Sequence, residues 1–330
     1  MGILVSLLAV VALLLVALVG VGGLGWRWLF GVAVPYAAAG VFLVGMVLRV
    51  LSWARSPVPF RIPTTCGQQK SLPWIRQSKV ENPSTAAGAV ARMALEVLCF
   101  RSLFRNTRVQ LRDGRLTYAS SKWLWAAGLA FHWSFLVILL RHLRFFTEPV
   151  PGFVRGLATL DGFFQVGLPE ILATTVIFLA AVGFLFARRL FSPPLRYLSL
   201  PGDWFPLLLL LSIGLSGVWM RHLSKVDVPT VKSWAMGMLH LTPPAAGVAD
   251  TAFYVHLFLV STLLAYFPFS KLVHMAGVFM SPTRNLAANS REVRHVNPWN
   301  RPLPVHTYEE YEDEFRERMR QAGLPLEKEA

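Results

Sequence analysis

The sequence predicts an all-α protein, a polytopic transmembrane helix bundle with about six spans. Of its 330 residues, 54% are hydrophobic and only 15% are charged, a composition typical of membrane proteins. The apolar residues also form runs of about 20, which is long enough to cross the hydrocarbon of a bilayer. These runs lie at 2–20, 29–53, 122–146, 168–190, 204–221 and 251–280.

The first run is predicted to be a retained membrane helix. It opens with MGILVSLLAVVALLLVALVG and lacks the basic segment with which secretory signals begin. No small-residue cleavage site followed by a soluble domain comes after it. A cleaved signal peptide remains the alternative.

The net charge of +14 is concentrated in alternate loops. The loop at 54–121 has eleven Lys or Arg residues against three acidic ones, and the loop at 188–203 has three Arg against one Asp. The loops at 147–167 and 223–250 are nearly balanced. By the positive-inside rule, both termini and the 54–121 loop are cytoplasmic, in a multi-pass protein of the cell inner (cytoplasmic) membrane. This distribution argues against nucleic acid as a partner.

Four segments follow from this topology. Residues 1–53 form an N-terminal two-helix membrane segment, and residues 54–121 form a basic cytoplasmic loop. Within the loop, residues 85–103 are predicted to form a surface helix, either a docking platform for a cytoplasmic partner or a simple amphipathic helix. Residues 122–280 form a four-helix domain. Residues 281–330 form a cytoplasmic tail whose charged stretch TYEEYEDEFRERMRQAG is predicted to be helical.

The two cysteines, Cys66 and Cys99, both lie in the cytoplasmic loop, and no CxxC motif occurs. The chain therefore cannot hold a four-cysteine iron–sulfur cluster by itself. The thiols are interpreted as structural or incidental, with a role for Cys66 at a partner interface as the alternative.

Four histidines lie inside membrane-length segments: His132 and His142 in the third, His256 and His274 in the sixth. A titratable ring in a bilayer is costly and usually functional. Neutral imidazole is a good axial ligand for haem iron, and two pairs on two helices can hold two metal centres between them. The sequence therefore predicts a membrane cytochrome b with two b-type haems between the third and sixth spans.

The topology predicts how the histidines pair. Since the third and sixth spans are antiparallel, His142 is expected opposite His256, and His132 opposite His274. In a regular helix the eighteen residues from His256 to His274 make five turns, so the two rings face the same way. The ten residues from His132 to His142 leave their rings about 80° apart. Along the helix axis, His256 and His274 are about 27 Å apart, whereas His132 and His142 are about 15 Å apart. Pro268 is expected to kink the sixth helix.

Cations lie beside the predicted ligands. Arg141 and Arg144 flank His142, and Lys271 precedes His274 by three residues. Basic side chains in a partly apolar setting suit carboxylates, so these residues are candidates for binding haem propionates or a quinone. The alternative is that they are snorkelling residues at helix ends.

These motifs resemble the gamma subunit family of respiratory nitrate reductase. The resemblance rests on HWSFLVILLRH at 132–142 and HLFLVSTLLAYFPFSKLVH at 256–274, and it covers about residues 120–280. The stretch TTCGQQKSLPWIRQSKVENPSTAAG at 64–88 is similar to the membrane cytochrome, or M, subunit of the Dsr-type complex associated with dissimilatory sulfite reductase. That second resemblance extends over most of the chain.

The resemblance implies an electron-transfer subunit of a quinone-linked oxidoreductase complex in sulfur metabolism. It would handle menaquinone near the outer haem and exchange electrons at the inner haem with a cytoplasmic iron–sulfur subunit of the heterodisulfide reductase type. Other membrane and extracytoplasmic subunits would complete the complex. Two rivals remain: a gamma subunit of a respiratory nitrate reductase, and a haem-free membrane anchor or transporter.

Overall fold

A computed structural model describes residues 1–56, 74, 76–163, 165–166, 171–244, 247–289 and 305–328. Helices dominate these residues, and the only strands among them form two short pairs. The helices are α1 (Gly2–Gly23), α2 (Leu29–Ala54), α3 (Ala86–Cys99), α4 (Arg101–Arg105), α5 (Lys122–Phe145), α6 (Gly152–Phe163), α7 (Ala173–Phe191), α8 (Pro193–Leu198), α9 (Pro201–Ser224), α10 (Val228–Leu239), α11 (Thr251–Phe269), α12 (His274–Gly277), α13 (Pro282–Asn285) and α14 (Tyr308–Gln321). The strands are β1 (Thr107–Arg112), β2 (Arg115–Ser120), β3 (Gln165–Val166) and β4 (Ile171–Leu172).

Six helices, α1, α2, α5, α7, α9 and α11, are long and apolar enough to cross a membrane. This confirms the prediction of an all-α bundle with six spans. The predicted fourth span starts too early, because regular helix begins at Ala173, after the short strand β4. Residues 168–170 lie outside the described residues.

The six spans pack in a definite order. α5 packs on α7, α7 on α9, and α9 on both α1 and α11, while α11 also packs on α2. A large apolar core joins α1, α2, α9, α10 and α11, and a smaller one joins α7 and α9 with phenylalanines of α5. Among the described residues, no comparable backbone packing joins α5 directly to α11. Three of the four histidines lie on these two helices, and His274 follows α11.

The end of α11 departs from a continuous helix. Regular α-helix stops at Tyr266, and Phe267–Phe269 and Lys271–Val273 are turns of 3-10 helix on either side of Ser270. Pro268 lies in the first of these turns, where its missing N–H and its ring prevent regular helix. His274 starts the short helix α12, so the five-turn spacing from His256 does not describe its position.

The 54–121 loop contains a helix, α3, within the range predicted to be helical, and an unpredicted hairpin. Thr85 caps α3 by accepting a hydrogen bond from the backbone N–H of Gly88 at 3.2 Å. The hairpin pairs β1 with β2 across Asp113-Gly114, both of which have positive φ. Asp-Gly is typical of such two-residue turns, and its occurrence in LRDGRL was the sequence signal for it.

The charged tail forms the predicted helix, α14. A capping box joins Thr307 and Glu310 at its start. Glu312 is buried on this helix and accepts hydrogen bonds from the backbone N–H groups of Glu327 and Lys328, at 2.8 and 3.1 Å. The residues after the helix therefore fold back onto it.

Two glycines of α2 give a matched test of the packing between α2 and α11. A Cβ atom added at Gly45 would lie 2.7 Å from the ring of Pro268, whereas one added at Gly40 would have no heavy atom within 4 Å. Gly45→Ala is therefore expected to destabilise the protein by about 1–3 kcal/mol through overpacking. Gly40→Ala is expected to be neutral or to stabilise by up to about 1 kcal/mol. Denaturant unfolding in mixed micelles measures both, and equal effects would show that this close approach is unimportant.

Candidate functional site

The structure brings His132 and His274 together. Their ring centroids are 6.0 Å apart and the two ring planes are at 80°. Phe100 and Phe131 pack edge-on against His132, at centroid distances of 4.8 and 4.7 Å. We call His132 and His274 the inner pair, after the topology expected from the charges of the loops.

His142 and His256 form a second pairing, which we call the outer pair. His142 lies close enough to His256 for the charges of the two rings to interact. None of the four histidines is fully buried. His142 and His274 are exposed, and His132 and His256 are half-buried. His132, His142 and His256 lie on helices that are long and apolar enough to cross a membrane, while His274 lies beyond Phe269, where α11 ends.

Each of the four histidines uses its Nδ1 atom in a hydrogen bond. In three of them the partner is a backbone carbonyl: that of Gly128 for His132 and Ile138 for His142, both at 2.7 Å, and that of Lys271 for His274 at 2.8 Å. A carbonyl only accepts, so Nδ1 carries the proton and Nε2 is left as the basic nitrogen. The exposed residue His240 makes the same kind of bond, so the bond alone does not mark a ligand.

His256 has a different partner. Its Nδ1 lies 2.9 Å from the Oγ atom of Ser216 on α9, and that hydroxyl is 2.9 Å from the carbonyl of Ile213. Since the hydroxyl donates to the carbonyl, it accepts from Nδ1–H of His256, and Nε2 is again the basic nitrogen. Ser216 was missed from the sequence; the only signal for it was a hydroxyl in the apolar run LLSIGLSGVW.

Three arginines meet beside the outer pair. Arg141, Arg144 and Arg221 are close enough for their charges to repel one another. Asp161 of α6, which is 5% exposed, forms a salt bridge with Arg141 and also accepts from Thr174. The Nε atom of Arg141 is buried and has no hydrogen-bond partner among the described residues. Asp161 thus pairs with one of three neighbouring guanidinium groups, that of Arg141.

Lys271, the cation expected near the inner pair, is engaged elsewhere. Its Nζ atom lies 2.7 Å from Oδ1 of Asp203 on α9, and its side chain is 76% exposed. Arg189 also lies 4.0 Å from the same oxygen. Lys271 is therefore part of a surface ion pair that links α9 to the turn after α11.

The 54–121 loop reaches back to the inner pair. The indole N–H groups of Trp125 and Trp133 donate to the carbonyls of Cys99 and Leu98, at 2.7 and 3.1 Å. These bonds hold the end of α3 along α5, and Phe100, in the left-handed conformation, turns its ring onto His132. The thiol of Cys99 is exposed. Cys66 lies outside the described residues.

Comparison with known proteins identifies the family of the chain. Residues 81–295 match the nitrate reductase gamma subunit family, a range that includes all four histidines. The chain is 46% identical over 279 residues to the "Hdr-like menaquinol oxidoreductase cytochrome b-like subunit" of Archaeoglobus fulgidus, covering 82% of this chain and 83% of the relative. It is 42% identical over 282 residues to the subunit of the same name from Archaeoglobus profundus, covering 83% and 84%. The chain therefore belongs to the nitrate reductase gamma subunit family.

Proposed function

We propose that this protein is a membrane dihaem cytochrome b that carries electrons between a menaquinone pool and a cytoplasmic iron–sulfur partner. His142 and His256 would bind one b-type haem, and His132 and His274 the other. A bound haem supplies one-electron transfer, while the chain sets its position and its potential. The observation that carries this proposal is the arrangement of four histidines in two pairs, each with one member on α5 and the other on α11 or just after it.

The geometry of the inner pair fits a shared iron. Histidine nitrogens bind metals such as zinc at about 2 Å, so two rings on opposite sides of one metal have centroids about 6 Å apart. The observed 6.0 Å agrees with this, and the 80° between the planes is compatible because each ring can rotate about its bond to the metal. All four Nδ1 atoms are engaged, which directs each Nε2 atom to the ligand role.

The arginine cluster beside the outer pair suits carboxylates. Arg141 pairs with the buried Asp161, and its Nε atom is buried without a hydrogen-bond partner among the described residues. Arg144 and Arg221 add two further positive charges beside it. We propose that this cluster binds propionates or a quinone headgroup. Lys271, although paired with Asp203, remains a candidate of the same kind because its exposed ammonium has donors left over.

The proposal also includes the complex to which this protein belongs and its location in the cell. The relatives' name contains "Hdr-like menaquinol oxidoreductase", which supports a quinone-linked complex with a partner of the heterodisulfide reductase type. Its association with sulfite reductase, and with other membrane and extracytoplasmic subunits, is supported by the similarity at 64–88. We place the protein in the cytoplasmic membrane with both termini and the 54–121 loop inside, on the basis of loop charge.

A gamma subunit of a respiratory nitrate reductase is the second candidate, because the matching family carries that description. The iron–sulfur protein that co-purifies distinguishes the two: a nitrate reductase beta subunit would favour the second candidate. A protein of the heterodisulfide reductase type would favour the first.

A reduced-minus-oxidised visible spectrum with a pyridine haemochrome assay tests the dihaem proposal. Two non-covalent b haems per chain are expected in protein expressed where haem is plentiful. A purified, folded protein without haem bands would overturn the proposal and favour a membrane anchor or transporter.

Ser216→Ala is expected to affect one haem only. Without the hydroxyl, Nδ1–H of His256 loses its partner at 2.9 Å and keeps only the carbonyl of Ile213, so the imidazole would be a weaker donor to iron and its orientation less fixed. Loss of such outer partners weakens metal binding by about 10- to 100-fold. We expect faster loss of one haem and a raised midpoint potential for that haem, measured by redox titration.

Ser134→Ala is the matched control. Ser134 is a buried serine of α5 whose hydroxyl bonds only to backbone carbonyls of Ala130 and Phe131 among the described residues. Equal changes in the two variants would argue against a specific role for Ser216.

A further inference from the structure

His274 lies beyond the regular part of α11. Ser270, whose backbone is extended at φ −117° and ψ 176°, separates the turn Phe267–Phe269 from the turn Lys271–Val273, and His274 follows the second turn. The ladder of backbone hydrogen bonds that fixes side chains along a regular helix is therefore interrupted between α11 and His274. The position of this histidine depends instead on contacts with other helices.

The part of this segment before Ser270 rests on α2. The ring of Phe267 packs edge-on against Phe42, with the ring centroids 5.6 Å apart. Pro268 lies so close to Gly45 that a Cβ atom added there would be 2.7 Å from the proline ring. Both contacts precede the break at Ser270, so they do not by themselves fix the residues after it.

The part after Ser270 is anchored to α9 by an ion pair. The Nζ atom of Lys271 donates to Oδ1 of Asp203 at 2.7 Å. Asp203 is itself fixed, because its Oδ2 atom accepts from the backbone N–H of Leu200 at 3.1 Å and its side chain is only 11% exposed. Among the described residues, this is the one hydrogen bond by which a side chain of 267–274 reaches another helix.

The same lysine also holds the histidine. The backbone carbonyl of Lys271 accepts from Nδ1–H of His274 at 2.8 Å. A displacement of Lys271 therefore displaces the acceptor that orients the imidazole. Asp203, Lys271 and His274 form a continuous chain of hydrogen bonds from α9 to the inner pair.

α9 has a comparable contact with the outer pair. The hydroxyl of Ser216, also on α9, is the partner of Nδ1 of His256 at 2.9 Å. None of the four paired histidines lies on α9, yet this helix reaches His256 directly and His274 through one residue. Partners of this kind fix the orientation of metal-binding histidines.

We propose that Asp203 is a positioning residue for His274 and acts through Lys271. This inference rests on the proposed dihaem function and deepens it. It gives Lys271 a role through its ion pair and its carbonyl that does not require contact between its ammonium group and a propionate. α9 is then the helix that orients one histidine of each pair.

The effect of this ion pair is expected to be local. The side chain of Lys271 is 76% exposed, and exposed ion pairs contribute little to overall stability. Loss of the pair should therefore leave unfolding by denaturant nearly unchanged while it loosens the segment that ends in His274. A general structural defect would change both.

Transfer of haem from the purified protein to excess apomyoglobin tests the proposal. The inner haem is identified as the one missing from His132→Ala. Asp203→Asn and Lys271→Met are each expected to speed its transfer by about 10-fold, the lower end of the effect of losing an outer partner. The double variant should be no faster than either single variant, because both changes break the same link. The outer haem should transfer at the wild-type rate.

Two variants serve as controls. Asp203→Glu keeps the carboxylate and is expected to restore most of the wild-type rate. Glu148→Gln breaks another exposed ion pair, that of Glu148 with Lys232, and should leave the transfer of both haems unchanged. In Asp203→Asn the amide oxygen can still accept from the N–H of Leu200, so the start of α9 is preserved.

Hydrogen exchange gives a readout that does not depend on haem. Backbone amides of residues 271–277 are expected to exchange faster in Asp203→Asn and in Lys271→Met than in the wild type, measured by mass spectrometry. Exchange in α14, which is remote in sequence from this segment, should not change.

The outcomes separate this inference from the proposed function. If the wild type binds two haems but Asp203→Asn changes neither haem transfer nor exchange, the inference is wrong and the dihaem proposal stands. Additive effects of Asp203→Asn and Lys271→Met would also overturn the inference, since a lysine that binds a propionate acts independently of Asp203. Faster exchange in both variants of a protein that binds no haem would uphold the anchoring of His274 and overturn the dihaem function.

Discussion

The single variants His142→Ala and His256→Ala are each expected to lose the same haem, leaving one of two per chain. The reason is that, in the proposed arrangement, both rings would hold the same haem, so either loss would remove one of its two protein ligands. For the same reason, the double variant His142→Ala/His256→Ala should still retain one haem, the one bound by the inner pair. The cross-pair variant His142→Ala/His274→Ala should retain none. Pyridine haemochrome assays on purified protein give the counts.

The comparison of the two double variants is the decisive part of this experiment. Each removes one imidazole from α5 and one from α11 or the helix that follows it, so a general loss of stability affects the two variants alike. His240→Ala is the control, since His240 is exposed and makes the same backbone bond as three of the predicted ligands. Equal haem contents in the two double variants would contradict the pairing of His142 with His256.

Asp161→Ala is expected to be the most destabilising change outside the histidines. Asp161 is buried, forms a salt bridge with Arg141 and accepts two bonds from Thr174, at 3.0 and 2.5 Å. Its removal leaves a buried guanidinium without its carboxylate partner, which costs about 3–5 kcal/mol for a buried pair. Asp161→Asn should cost less, since the amide oxygen still accepts from Thr174. Unfolding by denaturant in mixed micelles measures both.

Lys232→Ala is the matched control for this ion pair. Lys232 pairs with Glu148, but the side chains are 29% and 63% exposed. Such pairs contribute about 0–1 kcal/mol, so the variant should be nearly as stable as the wild type. A similar loss of stability in Asp161→Ala and Lys232→Ala would show that burial of the first pair is not what stabilises α6 against α5.

Much of the fold could be predicted from local features of the sequence. The six spans follow from the length of apolar runs, and the surface helix and tail helix follow from capping residues and composition. The hairpin and helices α6 and α10 were not predicted. Only two residues indicated each of the first and last of these. Asp113-Gly114 indicated the turn of the hairpin, and Asp227 with Pro229 indicated the start of α10.

The end of the sixth span shows where helical periodicity misleads. The eighteen-residue spacing of His256 and His274 suggested one face of a continuous helix. The chain instead forms 3-10 turns around Pro268 and Ser270. His274 still meets His132, because its position depends on those turns and on the packing of α11. The ligand roles of the four histidines remain predictions that the haem counts test.

The sequence by itself determined the number of spans, most of their extents and the presence of three histidines within them, because these depend on runs of neighbouring residues. Only the tertiary structure decided the partners of the polar side chains. Arg141 meets Asp161 across 20 residues, Ser216 meets His256 across 40, and Lys271 meets Asp203 across 68. Such contacts depend on how helices pack against one another, and the hydropathy of a single helix has no information about which charge on a neighbour will face it.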